Sequence, residues 1–138
     1  MIYALDTNII SYYLRGEGKV GEYFQREIQN NGNIYAIAHF CAYEIRRWLN
    51  YKPTQTMRLY AMHFEQLFQN VSNLADMPAP VWDKAAEIYI ELQSKGQLIG
   101  DADILIAAYC LVNEYTLVTR NRKDFQRISG LKQVDWYV

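Results

Sequence analysis

Apolar residues follow two rhythms along this 138-residue chain. Met1–Leu5, Ile34–Ala38 and Tyr115–Thr119 are short, nearly unbroken apolar runs that end at polar residues, as strands buried on both faces do. Between them lie longer stretches with apolar positions three and four apart, such as Val20, Tyr23, Phe24 and Ile28. That spacing predicts helices over Thr7–Leu14, Val20–Gln29, His39–Asn50, Thr54–Asn70, Pro80–Ser94 and Ala102–Asn113. Gly16, the Asn30-Asn31-Gly32-Asn33 cluster, Pro53 and Gly96 punctuate them. Val71–Ala75 and Val134–Tyr137 read as further short strands. Strands alternating with helices imply an α/β domain whose central sheet, mostly parallel and four to five strands wide, is covered on both faces. There is no repeat, linker or low-complexity tract, and the length suits one domain over residues 1–138.

Composition narrows the picture. The chain is half hydrophobic with 12 tyrosines, enough for a substantial core. Its net charge of −1 excludes a uniformly basic nucleic-acid glove, so any polyanion must be met by local patches. Cys41 and Cys110 sit in apolar company, as buried reduced thiols do, and no Cys or His spacing suggests zinc. Asp6 interrupts the N-terminal apolar run and no basic segment precedes it, unlike a signal peptide. The longest apolar run, Ile104–Val112, is far shorter than a membrane span. A soluble cytoplasmic protein with no membrane partner is expected.

The carboxylates carry the candidate chemistry. Asp6 directly follows the first strand, where ligands of parallel sheets gather, although it would also serve as a helix cap. Asp103 sits at the front of the most apolar helix, GDADILIAAYC, where it would favour the helix dipole; a carboxylate buried there needs a partner or a metal. Asp101 lies about 200° round the helix from Asp103, so only one of them can face a given site. Glu44 borders the stripe of Cys41, Ile45, Trp48 and Leu49, and pairing with Arg47 is its plain alternative. In LVTRNRKDF, Thr119, Asn121 and Asp124 offer oxygens just past a strand, or simply form a turn. Carboxylates gathered together repel, and a divalent cation removes that cost. Oxygen donors alone suggest Mg²⁺ or Mn²⁺, which orients water and stabilises charge on a phosphate.

In this order, LDTNIIS (Leu5–Ser11), YEIRR around Glu44, KGQLIGDADILIAA (Lys95–Ala108), TLVTRNRKDF from Thr116 and ISGLKQVDW from Ile128 resemble PIN-domain ribonucleases. The likeness is particularly to VapC-type toxins of type II toxin–antitoxin pairs, and it covers nearly the whole chain. The resemblance implies a three-layer α/β/α fold, metal-dependent endoribonuclease activity, a homodimer and a small antitoxin that blocks the site. It places Asp6, Glu44 and Asp103 on the family's three recurrent acids, as catalytic residues and metal ligands. It implies supporting roles for Asn8, Thr119, Asn121 and Asp124. Many PIN domains carry a fourth acid where this chain has Asn121, so Asp124 or Asp101 is left to complete the site, with one metal or two.

RNA, for instance a tRNA, must approach this acidic site through local cations. Arg46, Arg47, Lys52 and Arg58 form one run, and Arg120, Arg122, Lys123 and Arg127 another. Arg46, Arg47, Arg120, Arg122 and Lys123 are the RNA-binding candidates. The competing reading is a PIN-like module that holds RNA or protein without cutting, motivated by Asn121. A phosphoacceptor domain fits poorly, because a single acid follows the first strand.

Overall fold

The computed structural model describes residues 1–138, the side chain of Ser72 excepted. Four strands form one parallel sheet in the order β2-β1-β3-β4: β1 Ile2–Leu5, β2 Ile34–Ala36, β3 Thr116–Val118 and β4 Gln133–Val134. Tyr3 pairs with Tyr35 on one side and Thr116 on the other, and Val118 with Val134. Ala4, Leu5, Ala36, Leu117 and Val118 are buried, as the unbroken apolar runs required. Seven α-helices surround the sheet: α1 Thr7–Arg15, α2 Val20–Phe24, α3 His39–Tyr51, α4 Gln55–Gln69, α5 Ala79–Ser94, α6 Asp101–Asn113 and α7 Arg122–Phe125. The architecture is the expected three-layer α/β/α sandwich. The first four helices pack on one another, and α5 lies along α6. Ile104, Ile106, Ala107, Ala108, Tyr109 and Cys110 are all buried, which explains why α6 is apolar nearly all round.

Two glycines fix how the chain leaves α1. Gly16 ends the helix at φ 69°, returning its N–H to the carbonyls of Tyr12 and Tyr13. Gly18, at φ 63°, lets the C-terminus approach so closely that a Cβ there would lie 2.6 Å from the Tyr137 ring.

Three segments depart from the periodicity. Val71–Ala75 is not a strand: Ser72–Leu74 is a 3₁₀ turn, closed by Val71 N–H to Phe68 O and Leu74 N–H to Val71 O. Its apolar ends, Val71 and Ala75, plug the core without joining the sheet. Residues Gln25–Asn30 continue α2 as a π-helical turn. There the Glu27 carboxylate accepts from Tyr3 Oη, Asn31 Nδ2 and Asn33 Nδ2, which draws the extra residue inward. The last strand stops at Val134, because the Asp135 carboxylate accepts from Tyr137 N–H and turns the chain. Trp136 is thereby buried against the Tyr3 ring at 5.0 Å. Cys41 and Cys110 are free, buried thiols.

Candidate active site

The sheet order reverses at β1, so the loops after β1 and β3 border the crevice where parallel sheets bind ligands. Asp6 is the first residue past β1. It caps α1 by accepting Thr7 N–H at Oδ1 (2.8 Å), while Oδ2 accepts the Thr119 hydroxyl at 2.8 Å. Thr119 is 0% exposed and follows β3; its hydroxyl also accepts Asn121 N–H at 3.0 Å. The cap and the cleft are therefore not alternatives: one oxygen serves the helix and the other the neighbouring strand end.

Glu44 reaches the same place from α3. Its Oε1 accepts the Thr7 hydroxyl at 2.6 Å. The alternative Glu44–Arg47 pair does not form; the Arg47 guanidinium lies over the Tyr43 ring. Asp103 arrives from the first turn of α6, which Gly100 opens. Asn121 Nδ2 donates to Asp103 at 3.4 Å and to Asp124 at 3.2 Å, drawing the two carboxylates towards each other. Asp6, Asn8, Glu44, Asp103 and Asn121 line one cleft of about 110 Å³. Asp101 begins α6 as an exposed residue and does not line it.

Burial pushes the Asp103 carboxyl up to about 6, reinforced by the charges of Asp6, Asp124 and Glu44. Burial also raises Asp6, against the pull of its hydrogen bonds from Thr119 and Thr7. Asp103 and Asp6 are thus both costly to ionise, chiefly because they are desolvated. Among the described residues, no three His, Cys, Asp or Glu side chains already stand arranged to hold a metal ion. The donor set nevertheless fits a hard divalent cation: all oxygens, partly desolvated, with repulsion that such an ion relieves.

The PIN domain family matches residues 3–131. The chain belongs to the PIN-domain family. Ribonuclease VapC2 of Rickettsia felis is 29% identical to this PIN domain over 136 residues, 99% of this chain and 98% of that one. Ribonuclease VapC1 of Methanocaldococcus jannaschii is 31% identical over 117 residues, covering 83% of this chain and 80% of the relative. Among solved structures, VapBC2 from Rickettsia felis bound to a DNA fragment from its promoter matches with a TM-score of 0.82 at 28% identity, covering 99% of both chains. VapBC-1 from nontypeable Haemophilus influenzae matches at 0.80 and 25% identity, covering 99% of this chain and 98% of that one.

The cations divide unequally in this PIN domain. Arg46 is engaged: it forms a two-point pair with Glu65 at 2.9 and 3.0 Å and lies over the Phe64 and Phe68 rings. The sequence run around it held no acid, but α4 supplies one. Arg120 lies over the Tyr137 ring at 3.5 Å. Arg122 and Lys123 are exposed and directly follow Asn121, which lines the cleft. Thr7 is a site residue that the sequence pattern did not single out. It stands between Asp6 and Glu44, linking the first strand's acid to that of α3. A hydroxyl as the first helical residue after a strand-end acid was the available signal.

Proposed function

We propose that this PIN domain is the toxin of a toxin–antitoxin pair, a Mg²⁺- or Mn²⁺-dependent endoribonuclease that hydrolyses RNA phosphodiester bonds. One observation carries the reading: carboxylates from three distant parts of the chain, Asp6, Glu44 and Asp103, share one small cleft. The VapC names of the relatives and the VapBC complexes among the structural neighbours support it and point to a small antitoxin as partner.

In this reading Asp6 and Asp103 would hold the ion, with Glu44 beside them and Asn121 and Asp124 completing the set. A divalent cation held there would supply charge stabilisation at the scissile phosphate and a more acidic water. The chain's own groups do the rest. Thr119 and the Thr7 amide fix Asp6 in one orientation. Thr7 occupies Glu44 Oε1 and leaves Oε2 to accept a proton from the water. Attack in line with the 3′ oxygen leaves 5′-phosphate and 3′-hydroxyl ends. Arg122 and Lys123 receive the flanking phosphates, so binding falls steeply with salt. A homodimer accompanies this reading. Its interface is sought on the exposed apolar Leu59 (46%) and Met62 (53%) of α4, since Val20 and Phe24 of α2 are buried. Among the described residues no helix is long and apolar enough to cross a membrane.

A second reading, a PIN-like fold that holds RNA without cutting it, is favoured by the lack of a ready three-ligand cage. One assay separates the two. Purified protein is incubated with labelled total tRNA in EDTA, Mg²⁺ or Mn²⁺, beside an Asp103→Ala chain of intact melt. Metal-dependent fragments absent from the variant are expected. Full activity in Asp103→Ala overturns the assignment of the site.

A further inference from the structure

A second depression lies beside the acid cleft, between α1 and α3. It measures about 290 Å³ and is lined by Thr7, Asn8, Ser11, Arg15, Ile45 and Trp48. Thr7 and Asn8 line both it and the acid cleft, so the two are neighbours that share a wall. Its walls differ in chemistry. Asn8, Ser11 and Arg15 are three and four residues apart, which puts them on one face of α1 over about 10 Å. Ile45 and Trp48 are the matching i,i+3 pair on α3, an apolar wall ending in an indole.

Arg15 is preset for an anion at this wall. Nε donates to Ser11 O at 3.4 Å, Nη2 to Ser11 Oγ at 3.0 Å and Nη1 to Glu17 at 2.9 Å. These bonds use three of the five guanidinium N–H groups. The Glu17 contact is an exposed pair, of the kind that exchanges readily for a stronger anion. Trp48 is half-buried and braced by the Tyr60 ring at 6.4 Å and 23°, so its indole is held in place.

We infer that this groove is a subsite for one unpaired nucleotide of an RNA strand whose neighbouring phosphate lies in the acid cleft. The base stacks on Trp48, and Arg15 with Ser11 and Asn8 takes the backbone. The occupant follows from three features together. A fixed aromatic ring opposite a guanidinium suits a base and its phosphate. The volume lies near the lower end of small-molecule pockets, about 300 Å³, enough for one nucleoside and too small for a duplex. The wall it shares with the acid cleft, Thr7 and Asn8, makes it the neighbouring position along a bound strand. Ser11, Arg15 and Trp48 themselves lie outside the acid cleft. The inference rests on the ribonuclease reading for the identity of the polymer, but its test does not use cleavage.

The test is a scan with single-stranded RNA pentamers, each lacking one base at a different position, bound to the full chain carrying Asp103→Asn and followed by fluorescence anisotropy. One position should stand out, its missing base weakening binding by about five- to 150-fold, the range of base–aromatic stacking. The same penalty should fall below twofold in an added Trp48→Leu chain and return in Trp48→Phe, which keeps a ring. Arg15→Gln should weaken all pentamers alike and flatten the salt dependence. A penalty spread evenly over the positions, a penalty unchanged in Trp48→Leu, or no binding of the pentamers would overturn the inference. Failure of the nuclease reading would appear separately, as absence of metal-dependent tRNA fragments from the unsubstituted chain.

Discussion

The two strand ends that flank the cleft are built to different tolerances. After β1, Asp6 is 8% exposed and both its oxygens are committed at 2.8 Å, one to the α1 amide and one to Thr119. After β3, Asn121 reaches Asp103 and Asp124 over 3.4 and 3.2 Å, on half-buried side chains beside the exposed Arg122 and Lys123. Short bonds to a buried carboxylate fix its rotamer, whereas long bonds between half-exposed groups rearrange at little cost. The β1 side is thus a fixed anchor, and the β3 side is the half that is free to adjust.

The comparison breaks first at Asp6. Asp6→Asn keeps the cap to Thr7 but removes the buried charge, and tRNA cleavage should fall by on the order of 10²–10³-fold, the scale of losing one group aimed at developing charge. Cleavage within a few-fold of the parent would mean the anchor is only a cap. Thr7→Val comes next. It keeps the shape and frees Glu44, as loss of a supporting partner usually does, so kcat should drop by about 10–100-fold with KM for RNA little changed. A rise in KM alone would assign Thr7 to binding instead. Asn121→Asp tests the adjustable side. It replaces a donor to two carboxylates with a third carboxylate, lowering metal-free stability by about 1–2 kcal/mol. Added Mn²⁺ should more than restore the melt, and an unchanged metal-free melt would show that the Asn121 bridge carries no weight.

How much of this could be read in the sequence follows the same division. The unbroken runs of β1, β2 and β3 and the all-round apolar α6 were legible, because burial on every side leaves one kind of residue to choose from. Asp6 and Asp103 were legible for the converse reason, as acids in segments that burial should have kept apolar. Glu44 was legible only in company, as one of an ordered set of acids and through the resemblance, since a glutamate on a helix border has an ordinary explanation by itself. The contacts that depend on distant partners were hidden. Arg46 reads as a free cation until α4 brings Glu65 against it. Thr7 reads as a first helical residue until α3 brings Glu44. Val71–Ala75 reads as a strand because its buried ends are apolar, yet its hydrogen bonds close locally. Periodicity records which positions are buried and not where the backbone amides find acceptors.

The smallest expected effect sharpens the comparison through pH. Asp103 titrates at about 6 in the folded chain, above the ordinary carboxyl value of 3.8, chiefly because it is partly desolvated and then because Asp6, Asp124 and Glu44 repel its charge. The folded state therefore holds this proton more tightly than the unfolded one. The stability it contributes is full below pH 3.8 and is lost as pH rises through about 6. A two-unit shift, screened at a half-exposed position, leaves about 1 kcal/mol, or about 3–5 °C in the melt of a chain this size. In EDTA, Asp103→Asn should melt higher than the parent by that amount at about pH 7.5, and the gap should close towards about pH 4. Asp6 is raised in the same direction, so some slope should survive in the variant. Mn²⁺ should raise the parent's melt at about pH 7.5 and leave the variant's nearly unmoved, because the ion takes over the charge that the proton had neutralised. Equal metal-free melts at that pH would show Asp103 to be well solvated, and the half of the cleft that adjusts would then have to be sought at Asp124 and α7.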